Sequence, residues 1–222
     1  MFDAIASRYD LLNHLLSLGL DRRWRVRAVR ELQLRDGADV LDLCTGTADL
    51  AIAAAGGDRP AATVVGIDFA AEMLRLGQKK LASRGETRIH LVRGDATRIP
   101  LPDASVDAVT IGFGIRNVQQ PDVAAREIVR VLRPGGRLAV LEFGAPALPG
   151  LRGVYLFYFR RVLPLIGRLI SRHNRAYSYL PASVAAFPSP DEFLRLLGES
   201  GFSEARVVRL TLGIVYLFVA RK

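Results

Sequence analysis

The sequence predicts an α/β fold, a doubly wound parallel sheet with a closing hairpin, and three observations point there. Short apolar runs recur between residues 38 and 142 and alternate with helix-length stretches. Strand and helix in turn imply parallel strands joined by right-handed crossovers. Several of these runs end in an acid or a small-residue turn: Asp42 before Thr45-Gly46-Thr47, then Asp68, Gly94-Asp95-Ala96 and Gly112-Phe113-Gly114. Finally, two β-rich runs, 205–212 and 214–220, meet at Gly213 and read as a hairpin.

The elements follow in order. Residues 1–36 read as a helical flap outside the sheet, with Phe2, Ile5, Tyr9, Leu12 and Leu16 at three- and four-residue steps. Ser17-Leu18-Gly19 ends that helix, and Asp21 can cap the next, which opens with Arg22-Arg23-Trp24-Arg25. Tyr9, Asn13 and Trp24 either pack the flap or close it over a ligand. Residues 37–143 form the sheet core, with strands near 38–43, 62–68, 88–92, 106–111 and 136–142 and helices near 47–56, 70–83 and 121–132. Leu132-Arg133-Pro134-Gly135-Gly136-Arg137 predicts a sharp turn into the fifth strand. Residues 144–190 are an insertion, and 191–222 supply the last helix and the hairpin.

Composition bounds the function. Half of the chain is apolar, which argues against disorder, and the single cysteine excludes a disulfide framework or a Cys-based zinc site. Cys44 reads as a small residue under a turn rather than a reactive thiol. The net charge is +9, unevenly spread: residues 37–149 hold 13 Lys+Arg against 13 Asp+Glu, whereas residues 150–222 hold 11 against 4. The insertion carries arginines 152, 160, 161, 168, 172 and 175 without an acid. No secretory signal or bilayer-spanning run is expected. The histidines at 14, 90 and 173 are too scattered for a metal site; His90 reads as structural, and His14 and His173 as weak acid/base candidates.

In such a sheet ligands lie outside the carboxyl ends of the strands. Asp42 to Asp49, Asp68, Asp95-Ala96 and 112–117 therefore converge on one crevice. Asp68 follows Gly46 by about 20 residues, the interval expected of a carboxylate that grips ribose hydroxyls. A dehydrogenase would want a fuller glycine fingerprint or Tyr-x-x-x-Lys, and a P-loop enzyme Gly-Lys-Ser/Thr; neither is present. A nucleic-acid methyltransferase would explain the charge, but there is no Pro-Pro-Tyr, and the basic third is apolar.

Asp42…Gly46-Thr47, Asp68 and Asp95-Ala96 at successive strand ends resemble the S-adenosylmethionine (SAM) site of Rossmann-like methyltransferases. A finer resemblance, to the quinone-biosynthesis C-methyltransferases that act on demethylmenaquinone or the ubiquinone precursor, rests on further motifs. These are Tyr9-Asp10-x-x-Asn13, Ser17-x-Gly19-x-Asp21-x-x-Trp24-Arg25, Asp42-Leu43-x-x-Gly46-Thr47-x-Asp49, Gly114-Ile115-Arg116-Asn117-Val118 and Tyr177-x-Tyr179-Leu180-Pro181-x-Ser183. The resemblance spans essentially the whole chain. It implies a Rossmann-like, mostly parallel seven-stranded sheet in which one of the last strands runs antiparallel, within a single domain.

It also implies roles. SAM is the expected co-substrate, without a metal. Asp68 takes its ribose, Asp95 and the Ala96 N–H its adenine, and the Gly46-Thr47 turn and Gly112 its methionine end, above Asp42. An aromatic ring carbon is a poor nucleophile unless a neighbouring hydroxyl ionises. A cation at close range lowers a phenol's pKa of about 10 by about 1–3 units. Arg116 is the candidate cation, Asn117 the group that fixes the quinol oxygen, and Asp49 the candidate base. The alternatives are that Arg116 and Asn117 hold the loop and that Asp49 caps its helix. A prenylated quinol is the expected acceptor, another small aromatic the alternative, and nucleic acid is not expected. Residues 150–180 are either a lid or a contact with an anionic membrane surface, which would place a cytoplasmic enzyme at the inner face of the membrane. The oligomeric state stays open, a homodimer included.

Overall fold

The computed structural model describes residues 17, 19–144, 150, 153 and 182–222. The expected flap helix, Tyr9, Asn13, His14, His173 and nearly all of the basic insertion lie outside them.

The described elements are α1 (Leu20–Leu32), β1 (Asp39–Leu43), α2 (Asp49–Ala55), β2 (Thr63–Asp68), α3 (Ala71–Arg84), β3 (Ile89–Arg93), β4 (Val106–Gly112), α4 (Pro121–Val131), β5 (Leu132–Phe143), α5 (Pro190–Glu199), β6 (Ser203–Leu210) and β7 (Val215–Arg221). The seven strands form one sheet in the order β3-β2-β1-β4-β5-β7-β6. The strand order reverses between β1 and β4, and β7 alone runs antiparallel, to both β5 and β6.

The period-two alternation of the strands sorts their side chains onto two helical layers. Val40, Val64, Ala108, Ala139 and Leu141 pack with Trp24, Ala28 and Leu32 of α1 and with Leu50, Ala51 and Ala54 of α2. Leu41, Leu43, Val109, Ile111, Leu138 and Val140 pack on Ile128 of α4 and on Phe193 and Leu197 of α5. Truncating a fully buried leucine such as Leu41 would cost about 2–5 kcal/mol. α5 opens on a complete capping box: the Glu192 N–H donates to Ser189 Oγ, and the Ser189 N–H donates to Glu192 Oε2.

Two details differ from the sequence reading. Asp21 is not the cap of α1. The helix starts at Leu20 behind Gly19, whose φ of 75° only glycine adopts cheaply, and Asp21 instead accepts from Ser17 Oγ and pairs with Arg25. The turn expected at 132–137 is absorbed into β5. Pairing with β4 jumps from Val106↔Leu132 to Ala108↔Arg137, so the Pro-Gly-Gly stretch bulges without leaving the sheet.

Candidate active site

Four successive connections, those after β1, β2, β3 and β4, place their residues at one edge of the sheet. Leu43, Cys44, Gly46, Ile67 to Ala70, Met73, Gly94 to Thr97, Gly112 to Gly114 and Asn117 to Gln120 line a hollow of about 470 Å³. That size suits a small ligand. Of the residues singled out in the sequence, Gly46, Asp68, Asp95, Ala96, Gly112 and Asn117 line this hollow; Asp42, Thr47, Asp49 and Arg116 do not.

The turn after β1 is held by its acids. Asp42 is fully buried and accepts from Thr45 Oγ1 at 2.6 Å, Thr110 Oγ1 at 2.7 Å and the Ala51 N–H at 3.1 Å. It thereby ties β1 to β4 and to the start of α2. Burial pushes its carboxyl up to about 6, with the charge of Asp68 a minor addition. Asp68 accepts from the Gly46 N–H and the Ala70 N–H, each at 2.8 Å, and so spans two connections. Asp95 is exposed at the hollow's rim and accepts from the N–H and the hydroxyl of Thr97 on Oδ1, which holds its carboxyl below the usual range. Its Oδ2 accepts from no described residue and is free for a ligand's donor.

Cys44, Ala48 and Phe113 all sit at positive φ. Such a backbone costs roughly 1–2 kcal/mol for each non-glycine residue and marks a turn that its surroundings impose. The turns after β1 and β4 touch so closely that a Cβ on Gly114 would lie 2.3 Å from Cys44 Cβ. Burial, aided by the charges of Asp68 and Asp42, raises the Cys44 thiol, so it stays neutral.

Asp49, at the start of α2, is gripped by Arg25 Nη2 at 3.2 Å and Lys80 Nζ at 2.8 Å, and Lys80 also donates to Thr47 Oγ1 at 3.1 Å. Asp21, Arg25, Asp49 and Lys80 thus link α1, α2 and α3.

Arg116 lies behind the wall at the end of β4, only 5% exposed. Its Nη1 donates to Glu142 Oε1 at 2.7 Å and to the Phe113 carbonyl, and its Nε to Ser183 Oγ at 3.4 Å. Its guanidinium sits 5.5 Å from the ring centroid of Phe143, which stacks on Phe113 at 4.5 Å; Trp24 meets Phe113 edge-on at 6.2 Å. Nη2 donates to none of the described residues. Glu142 is wholly buried; burial raises its carboxyl and Arg116 opposes the shift.

Sequence reasoning missed Glu142, Thr110 and Lys80. A lone acid in the apolar run 138–143 was a signal for Glu142 of the kind that found Asp42. Lys80 left none, because only tertiary packing brings α3 to α2.

A doubly wound sheet with a turn-lined hollow at its reversal point, and acids at the ends of β2 and β3, defines the class of Rossmann-like SAM-dependent methyltransferases. Solved structures agree on the fold: a SAM-dependent methyltransferase from Aquifex aeolicus superposes with a TM-score of 0.63 at 20% identity, covering 89% of this chain and 88% of that one. The [4+2]-cyclase SpnF superposes with a TM-score of 0.64 at 20% identity, covering 90% and 80%. Likeness at that identity speaks for the fold alone.

Sequence relatives narrow the class: the chain belongs to the ubiE/COQ5 methyltransferase family, whose model matches residues 1–222. It is 52% identical over 218 residues to the ubiquinone/menaquinone biosynthesis C-methyltransferase UbiE of Syntrophotalea carbinolica, covering 98% of this chain and 91% of that one. It is 47% identical over 219 residues to the demethylmenaquinone methyltransferase of Thermus thermophilus, covering 99% and 98%. The chain is accordingly an enzyme, a SAM-dependent C-methyltransferase.

Proposed function

We propose that the chain methylates a ring carbon of a prenylated quinol, demethylmenaquinol first and the ubiquinone precursor second. The relatives' names support the acceptor class. The observation that carries the chemistry is Arg116, a buried cation with one NH2 group unmatched among the described residues, directly behind an aromatic wall and beside Asn117. Buried donors without partners are rare, and this one is suited to an acceptor oxygen brought by a ligand.

SAM supplies an electrophilic methyl group on a sulfonium, and this chain's part is to hold it and prepare the nucleophile. In our reading Asp68 accepts the ribose hydroxyls, Asp95 Oδ2 accepts the adenine amino group and the Ala96 N–H serves the ring. The Gly46-Thr47 turn and Gly112 face the methionine end, and Asp42 holds that turn from below. Arg116 then favours the ionised quinol oxygen, Asn117 fixes it, and charge reaches the ortho carbon that attacks the methyl group in line. Asp49 is the base in the first reading, but both its oxygens already face cations, Oδ2 the Arg25 guanidinium and Oδ1 the Lys80 ammonium. That pairing favours a second role, as the joint between α1 and the SAM turn.

The reading includes contact with an anionic membrane surface through 150–180, on the basis of its six arginines and apolar residues. Among the described residues no helix is long and apolar enough to cross a membrane. Sedimentation with liposomes, with and without acidic lipid, tests the contact; no binding to either returns the segment to a lid.

The decisive assay offers labelled SAM with demethylmenaquinol and with the benzoquinol precursor to the wild type and to Arg116→Ala. We expect methyl incorporation by the wild type, and loss of turnover in the variant with SAM affinity retained. Joint loss of both in the variant would remove Arg116 from its role, and no incorporation into either quinol would remove the acceptor class.

A further inference from the structure

We infer that Glu142 is a positioning residue for methyl transfer, acting through Arg116; the inference rests on the role given to Arg116 above. Three observations carry it. Glu142 is the acid opposite Arg116, and the pair is almost completely shut off from water, at 0% and 5% side-chain exposure. Its two oxygens are used differently: Oε1 accepts from Arg116 Nη1 at 2.7 Å and from the Phe143 N–H at 2.8 Å, while Oε2 faces the Arg116 backbone N–H at 3.4 Å. One carboxylate thus holds the side chain and the main chain of Arg116 to the last residues of β5. The same guanidinium is fixed by the Phe113 carbonyl on Nη1 and by Ser183 on Nε, which leaves Nη2 as its one group whose donors meet no acceptor among the described residues.

An ion pair kept merely for stability is poorly explained here. Taking both charges out of water costs as much as their attraction returns, and apolar residues of similar volume often serve a core as well. A cation that must stay charged in a dry wall and present one chosen edge is better explained, because a fixed carboxylate both compensates the charge and sets the orientation. The remaining contacts agree. Phe113 and Asn117, at either end of the segment that Arg116 anchors, both line the hollow, so a shift of the pair would move the aromatic wall and the amide together.

The test is a double-mutant cycle on kcat, with SAM affinity and thermal melting recorded for every variant. Glu142→Gln keeps an oxygen for Arg116 Nη1 but removes the compensating charge. It should lower kcat on the order of 100-fold, the scale of a misplaced catalytic group, with SAM affinity within about twofold. Arg116→Gln should be strongly impaired by itself, and adding Glu142→Gln to it should cost nothing more, since no cation remains to be held. Should Glu142→Gln not fold, Glu142→Asp replaces it, retaining the charge but withdrawing it by one methylene. An equal fold-loss from either Glu142 change in both Arg116 backgrounds overturns the inference alone. Wild-type turnover of Arg116→Gln overturns the role of Arg116, and this inference with it.

Discussion

The two halves of the hollow are stabilised in opposite ways. On the β1–β2–β3 side, Asp42, Asp68 and Asp95 accept from hydroxyls and backbone N–H groups. On the β4–β5 side, the wall rests on a dry Arg116–Glu142 pair and on the Trp24, Phe113 and Phe143 rings. The first half offers preorganised acceptors to a polar, cationic ligand. The second offers a flat apolar surface backed by one positive charge, which fits an aromatic ring carrying an ionisable oxygen. In the proposed function nucleoside and acceptor meet surfaces of different chemistry, and the contrast predicts that damage should divide along the same line.

The largest effect should come from the buried charge. Arg116→Ala leaves Glu142 unpaired in the core, which costs about 3–5 kcal/mol, beyond any loss of turnover. Calorimetry beside the rate assay separates the two, and an Arg116→Leu, Glu142→Leu double variant should recover melting temperature without recovering activity. Next, Asp68→Asn should weaken SAM by about 10–100-fold, because charge-assisted hydrogen bonds contribute about 1.5–3 kcal/mol each. Isothermal titration reads it, and unchanged affinity would erase the distinction between the halves. Gly114→Ala drives a Cβ to 2.3 Å from Cys44, where the two turns touch, and should cost about 1–3 kcal/mol of stability, seen as an earlier denaturant midpoint.

Asp42→Asn should disturb the hollow least. An amide can accept from Thr45 and Ala51 and donate to Thr110 Oγ1, so the buried site stays satisfied. The sign of the pH effect follows from the raised carboxyl: the native state holds its proton more tightly than the unfolded chain does. Its stabilising contribution is therefore complete below about pH 4 and is lost as pH rises through about 6, by about 3 kcal/mol at most. Relative to the wild type, the variant should gain stability across that window, in denaturant titrations at successive pH values. SAM affinity should be unchanged; a tenfold loss would put Asp42 in contact with the ligand.

Most of the first half was legible because strand ends are local events. An apolar run, an acid and a glycine turn are contiguous, and the sheet then brings successive ends together with little freedom. Legibility ended where a role depends on a partner remote in sequence. Asp49 was open between base and helix cap, and the contacts that bear on it come from Arg25 and Lys80 on two other helices. Asp42 had the right position for the site, yet its side chain faces α2 rather than the hollow, since alternate residues of β1 point to opposite layers. The sharp turn expected at 132–137 fails for a similar reason. Pro-Gly-Gly permits a turn, and only pairing with β4 makes it a bulge.

By itself the sequence determined the order of elements and the small set of polar residues at the carboxyl edge of the sheet, because these depend on periodicity and local turn chemistry. The tertiary structure alone decided which of those residues face the ligand and which brace the ones that do. It also paired Arg116 with Glu142 across 26 residues. Burial and the choice of partner are properties of the packed chain, and they set whether a charge is a contact, a support or both.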